Sequence, residues 1–192
     1  MSRWLIKAGL AAMCVVGLGL IGQALWIPAK AQVAQWLLAD AWERSVHNGE
    51  PVKPWPWADH WPVAQLSMPE IGLNQIVLAG DTGSVLAFGP GENMQAKALE
   101  AGARIISGHR DTHFAFLKDI AIGQNLYLTD TDGQVAYRVE AVQIVDSARV
   151  QLRPEAYPKG LLLVTCYPFD AITTGGSLRL VVMAERVETT RL

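Results

Sequence analysis

The stretch LLLVTCYPFD, residues 161–170, is the part of the chain from which the fold and the chemistry are best approached. Its apolar run from Leu161 to Val164 predicts a buried β-strand, because an unbroken row of Leu and Val suits a strand covered on both faces. Pro168 cannot donate a hydrogen bond to a sheet, so the strand should end near Cys166. The sequence therefore predicts a thiol at the end of a rigid strand, where a loop begins and nucleophiles are often held.

Composition limits what the rest of the chain can be. The chain has 192 residues, a net charge of −2 and 51% hydrophobic residues, which fits one ordinary domain with an apolar segment beside it. Lys and Arg are scattered, so we expect no nucleic-acid partner. Of the two cysteines, Cys14 falls in the membrane span predicted below, and Cys166 is therefore expected to be a free thiol.

An uncharged apolar stretch near the N-terminus, residues 8–27, predicts a transmembrane helix. About 20 helical residues span the hydrocarbon core of a bilayer, and Trp4 and Trp26 suit its two interfaces. The stretch is too long for a signal peptide and lacks a small-x-small cleavage site, which favours a retained anchor. We predict an anchor over residues 1–28 that contacts membrane lipid through residues 5–27.

Charge around this span predicts its orientation. Arg3 and Lys7 precede the apolar stretch, which predicts a cytoplasmic N-terminus and a single pass through the cytoplasmic membrane. Residues 29–62 are predicted to be a linker, first helical and then extended, because four prolines interrupt its second part, PVKPWPWADHWP. Residues 63–192 are predicted to form the folded domain outside the cytoplasm.

Strand signals separated by turns dominate this domain. The turn residues Thr131-Asp132-Gly133 predict a hairpin. Short strands with little helix predict an all-β barrel or sandwich. The predicted strands are 63–68, 71–79, 103–107, 125–129, 134–145, 161–165 and 178–184.

Two stretches resemble a catalytic or metal-binding motif, but each lacks a group that the motif needs. Asp81-Thr82-Gly83-Ser84 matches the aspartic-protease loop, but that chemistry needs two carboxylates and only one copy is present, so a turn and helix cap is the better interpretation. His109 and His113 have the spacing of a zinc site. The residue after His109 is Arg110 instead of the Glu that such a motif needs, so we predict no metal and no cofactor.

A third group, Cys166 with His109 and Arg179, fits the cleavage of an amide by a thiol. That reaction needs an ionised thiol, a proton for the leaving amine and positive charge near the oxyanion. An imidazolium such as that of His109 favours the thiolate and can then act as the acid. Arg179 lies one hairpin after Cys166, so the two can be adjacent. Spacing alone does not show that His109 meets Cys166.

These residues resemble the sortases, the membrane-anchored cysteine transpeptidases. In that family the nucleophile ends a strand in a TLxTC pattern, which Leu162 to Cys166 match except that Leu162 replaces Thr. Longer matches are to the Gram-negative class GN. They are PWPWAD at residues 54–59, LAFGPG at 86–91, GHRDTHF at 108–114 and TCYPFD at 165–170. The resemblance covers nearly the whole chain, including the anchor.

The resemblance implies an eight-stranded sortase β-barrel with short helices, preceded by the transmembrane helix, with the catalytic domain in the periplasm. It implies cleavage of an LPxTG-like C-terminal sorting signal of a target protein through a thioester on Cys166, followed by transfer to an amine acceptor. His109 and Arg179 would complete the catalytic set, and Thr165 would help to hold the oxyanion. Two alternatives stay open: a membrane-tethered cysteine protease that uses water, and a peptide-binding β-domain without catalysis.

Overall fold

In the computed structural model, which describes residues 3–99, 101–171 and 175–187, one long helix is followed in the chain by eight strands that close into a β-barrel. The helices are α1 (Arg3–Asn48), α2 (Gly83–Leu86) and α3 (Met94–Lys97). The strands are β1 (Pro62–Met68), β2 (Leu73–Ala79), β3 (Gly91–Glu92), β4 (Arg104–Ser107), β5 (Asn125–Asp130), β6 (Gly133–Asp146), β7 (Leu161–Cys166) and β8 (Leu178–Arg186). Around the barrel they run in the order β1-β2-β3-β4-β7-β8-β6-β5, which confirms the predicted fold class.

The barrel is filled by the inward-facing side chains of its strands. Strand β1 shows the strict alternation of buried and half-buried residues that a strand with one core-facing side requires. The main core also receives residues from outside the strands, among them Phe114 and Leu117, which are 0% and 1% exposed. A second apolar cluster, built around Leu162, Val181 and Met183, lies on the opposite face of β7 and β8.

Helix α1 is one continuous helix through Pro28, and the chain divides by its contacts into two compact units, up to Leu37 and from Leu38 onward. Within the described residues, α1 is the one helix long and apolar enough to cross a membrane. In the second unit, Leu38 packs with Leu78 and Val85, so the end of α1 belongs to the core of the barrel unit. The predicted boundaries at 28/29 and 62/63 stay predictions.

The Pro- and Trp-rich segment after α1 packs against the domain through part of its aromatic set. The ring of Trp55 lies 5.4 Å from that of Phe88, and the ring of His60 stacks on Phe88 at 4.9 Å. Trp57, in contrast, is 82% exposed. Trp55 thus packs on the domain, whereas Trp57 does not.

Local differences from the predicted strands have simple causes. Strand β2 begins at Leu73 instead of residue 71, because a 3-10 turn over Pro69–Ile71 ends at Gly72 in the left-handed region (φ 65°). The two-residue strand β3 was not predicted, since Gly and Pro dominate its surroundings. A Cβ at Gly91 would lie 2.1 Å from the carbonyl oxygen of Gly80, so only glycine permits this contact between β2 and β3.

A buried ion pair joins β3 to β4. The carboxylate of Glu92 is 0% exposed and accepts from Nη2 of Arg104 at 2.9 Å, while Nη1 of Arg104 donates to Asp130 at 2.6 Å. Burial disfavours the charged guanidinium, but the hydrogen bond to Glu92 and the charges of both carboxylates outweigh it, so the pKa of Arg104 is raised. This network joins β3, β4 and the end of β5.

Candidate active site

Alternate residues of strand β7 face the barrel interior and the outer side of the sheet. Leu161 and Leu163 face the main core, and Leu162 and Val164 face the second cluster. Because side chains alternate along a strand, Cys166 shares the outer face with Leu162 and Val164. Its side chain is half-buried and the thiol is free.

The residue directly opposite Cys166 in the antiparallel pair β7–β8 is Arg179. Residues opposite each other in such a pair point to the same face with Cβ atoms about 4.5–5.5 Å apart. Nη1 of Arg179 donates to the carbonyl oxygens of Gly176 and Leu178 at 2.6 and 2.8 Å. Among the described residues, no hydrogen bond from Nη2 or Nε of Arg179 is seen.

His109 follows the neighbouring strand β4. Strands β4 and β7 run parallel, with Ser107 opposite Val164, so both end at the same edge of the sheet. The pairing continues beyond β4, because the N–H of Gly108 donates to Val164 O at 3.1 Å. His109 thus leaves the sheet beside the end of β7 that carries Cys166, and its side chain is exposed.

Thr165 links these two strands from the inner face. Its hydroxyl donates to the carbonyl oxygen of Gly108 at 2.8 Å, and the side chain is 2% exposed. This contact fixes the strand that carries Cys166 to the residue before His109. The oxyanion role of Thr165 stays a prediction. The hydrogen bond of its hydroxyl holds β7 to the end of β4.

A groove of about 580 Å³ leads away from this edge along the outer face of the barrel. Ile105, Val164, Val181 and Val145, from β4, β7, β8 and β6, give it an apolar lining. Arg179 at the strand edge also lines the groove, whereas Cys166 and His109 are not among its lining residues. The polar lining residues are Asp81, Asn93, Ser107, Ser147, Arg149 and Gln151. The groove thus presents apolar and polar groups on the face of the sheet that carries Cys166.

His113 lies near His109 in the turn that follows β4. Burial, and secondly the charge of His109, lower the pKa of His113 below its usual value of 6.5. Its backbone carbonyl accepts from Nε2 of Gln75 at 2.6 Å. Among the described residues no group of three or more His, Cys, Asp or Glu could hold a metal ion. The contact with Gln75 holds the turn that contains His113 against β2.

Sequence reasoning missed Arg110, whose side chain is 8% exposed. Its guanidinium donates to the carbonyl oxygens of Pro168 and Ala171, in the loop after Cys166. The sequence offered one signal, a cation directly after the candidate histidine, but we considered it only as an argument against zinc. Contacts across almost sixty residues of chain leave no local pattern from which they could be predicted.

A closed barrel with a thiol, an imidazole and a guanidinium on three neighbouring strands defines a domain with a candidate cysteine-nucleophile site. Comparison with known families agrees with this class. The model of the sortase domain matches residues 66–187, which is more than half of the chain. The chain belongs to the sortase family.

Individual relatives support the same assignment. The chain is similar to sortase D of Bacillus subtilis (strain 168), with 28% identity over 124 residues, 64% of this chain and 62% of that protein. It is similar in structure to sortase A from Corynebacterium diphtheriae, with 26% identity and a TM-score of 0.56 over 69% of this chain and 64% of that one. A Group B Streptococcus pilus island 1 sortase C2 gives 25% identity and a TM-score of 0.52 over 66% and 74% of the two chains. The matches thus span less than two thirds of the first two proteins' lengths.

Proposed function

We propose that this sortase-family chain is a membrane-anchored cysteine transpeptidase with Cys166 as nucleophile, His109 as acid and base, and Arg179 as the oxyanion and substrate donor. The observation that carries the proposal is the direct pairing of Cys166 on β7 with Arg179 on β8, together with the pairing of β7 with β4, the strand that His109 follows. An activated thiol, a proton donor and a fixed positive charge are what amide cleavage by cysteine requires. The groove on the same face supplies room for an extended peptide.

The reaction would proceed in two displacements. Sγ of Cys166 attacks the carbonyl carbon of the threonine in an LPxTG-like sorting signal, and Arg179 stabilises the oxyanion. The C–N bond breaks, His109 gives its proton to the leaving amine, and a thioester remains on Cys166. The amine acceptor then attacks the thioester carbonyl and loses a proton to His109, and the Cys166 thiolate leaves. The net result is exchange of one amide bond for another.

Product analysis tests this proposal. The chain from residue 29 onward, without its predicted anchor, is mixed with peptides that carry LPxTG-like signals, with and without triglycine as the acceptor amine. The proposal expects a cleaved peptide joined to triglycine, and Cys166→Ala should abolish it while Cys14→Ala leaves it intact. Cleavage by water alone, unaffected by triglycine, would instead establish a cysteine protease. No cleavage, together with a thiol that does not react with alkylating agents, would establish a peptide-binding domain.

We further propose that the N-terminal part of α1, through residues 5–27, anchors the chain in the inner membrane with the catalytic domain in the periplasm, as in the Gram-negative class that the sequence resembles. The uncharged stretch and the cations Arg3 and Lys7 before it support this orientation. The target protein with its sorting signal and the amine acceptor would then both be met outside the cytoplasm. A reporter fused after Leu192 that is active only in the cytoplasm would contradict this topology.

A further inference from the structure

The environment of Arg110 differs from that of an ordinary surface cation. Its side chain is 8% exposed, Nη1 donates to Pro168 O at 2.6 Å, and Nη2 donates to Ala171 O at 2.7 Å. The one acidic group in contact with it among the described residues is Asp111, at 3.3 Å from Nε and itself 69% exposed. The buried charge is therefore satisfied mainly by two backbone carbonyl oxygens.

Burial of a cation opposite neutral acceptors is costly compared with burial of an apolar side chain of similar size. The planar guanidinium offers parallel donors at a fixed separation, which a lysine does not. Here the fork meets two carbonyls of the same loop, three residues apart. Such a contact specifies the position of a loop more than it adds to the stability of the barrel.

Both ends of this contact lie next to the candidate catalytic residues. Arg110 directly follows His109, and Pro168 is two residues beyond Cys166. Before His109 and Cys166 in the chain, Gly108 forms hydrogen bonds with Val164 and Thr165 and so holds the ends of β4 and β7 together. His109 and Cys166 are thus bracketed by hydrogen bonds before and after them in both segments.

We propose that Arg110 is a positioning residue that clasps the loop after Cys166 to the turn after His109 and so sets the thiol against the imidazole. This inference rests on the proposed function, because it needs Cys166 and His109 to act together. Loss of the two parallel hydrogen bonds of Arg110 would leave the side chains of Cys166 and His109 present but misaligned. The step affected would be acylation of Cys166, not the binding of the peptide along the groove.

Arg110→Lys tests the inference, because it keeps the charge and removes the fork. We expect kcat for transpeptidation to fall about 10- to 100-fold with KM little changed, because small misplacements of reacting groups reduce rates by such factors. The alkylation rate of Cys166 by iodoacetamide, measured against pH, should also lose its His109-dependent limb. The other charged groups at this end, among them Arg179, His113, Asp111 and Asp170, are unchanged in the variant. Arg138→Lys, an exposed position on β6, is the matched control and should behave as the wild type.

Rescue separates positioning from folding. In Arg110→Ala, added methylguanidinium should restore part of kcat and of the alkylation profile, because it returns the donors without the side chain. A variant that is less stable but keeps the wild-type kcat and pH profile would overturn the inference. If neither variant folds, Arg110 supports the domain as a whole and the positioning role is likewise overturned.

The alkylation measurement also keeps this inference separate from the proposed function, because it needs no sorting signal. If the wild type and His109→Ala give the same alkylation profile, the Cys166–His109 pair itself is contradicted. If the wild type shows a His109-dependent limb and Arg110→Lys keeps it together with full kcat, the pair stands and the role of Arg110 is overturned.

Discussion

Gly108, the residue before His109, has no room for a side chain. A Cβ at this position would lie 2.7 Å from Cγ of Phe114, which is fully buried in the main core. Gly108→Ala must therefore displace Phe114 and the turn that starts at His109. We expect a loss of about 1–3 kcal/mol in the free energy of unfolding, the usual cost of overpacking, measured by urea denaturation.

The control for this prediction is Gly83→Ala. Gly83 lies in α2 and has no atom within 4 Å of an added Cβ among the described residues. Its free energy of unfolding should stay near the wild-type value. Equal stability of Gly108→Ala and the wild type would show that Phe114 does not fix the position of the His109 turn.

His113 predicts how stability depends on pH. Its folded-state pKa is lowered by burial and by the charge of His109, so the unfolded chain takes up this proton more readily than the folded one. The stability that neutral His113 provides is present above about pH 6.5 and is lost as the pH falls through the lowered folded value. His113→Gln should therefore flatten the fall in Tm on acidification from neutral pH.

Thermal unfolding at several pH values measures this effect, and His47→Gln, at an exposed helical position, is the matched control. The control should show the same acid slope as the wild type. A slope that is identical in His113→Gln and the wild type would contradict the assigned burial of His113.

Sequence reasoning and structure agree best at the residues that end strands. Cys166 could be predicted at the end of β7, because an apolar run and Pro168 define both the strand and its limit. The pairing of Cys166 with Arg179 followed from a hairpin between them. The positions of Arg110 and Thr165 could not be predicted, because each depends on a carbonyl that lies more than fifty residues away in the chain.

At the scale of elements, helix α1 serves two environments. Its second part contributes Leu38, Ala41, Trp42 and Ser45 to the buried set of the barrel unit. Ser45 also accepts from the N–H of Val52 at 2.9 Å and so joins the helix end to the Pro-rich segment. Part of the range 29–62, which the sequence predicts as a linker, is thus buried in the barrel unit. This burial depends on residues distant in the chain, such as Leu78 and Val85.

Truncation tests the role of α1. A chain that begins at residue 29 should be soluble, folded and active, because it keeps the contacts of Leu38 with Leu78 and Val85. A chain that begins at residue 49 should be less stable by several kcal/mol, since removal of a single buried Leu or Trp side chain costs about 2–5 kcal/mol. Circular dichroism during thermal unfolding compares the two.

Equal Tm values for the two chains would show that α1 does not stabilise the barrel unit. Aggregation of the chain that begins at residue 29 would show that the stretch before it also contributes to the core.

For the whole molecule, the closed barrel could be predicted only in part. Seven strands followed from alternation and turn residues, but the short strand β3, which completes the ring between β2 and β4, is defined by contacts across the barrel. Closure also depends on the buried Glu92–Arg104 pair, which the sequence presents only as two separated charges. The barrel in turn brings β4, β7 and β8 side by side, which is what gathers His109, Cys166 and Arg179.

Intact-mass spectrometry tests whether Cys166 carries the substrate as a thioester, the intermediate that the proposed reaction requires. The chain from residue 29 onward is mixed with a peptide that bears an LPxTG-like signal and is quenched in acid at short times. We expect an adduct equal in mass to the acyl part of the cleaved peptide, located on Cys166 and discharged by hydroxylamine as the peptide hydroxamate. Cys166→Ala should give no adduct. Turnover without any adduct, at a rate unchanged by Cys166→Ala, would contradict the account.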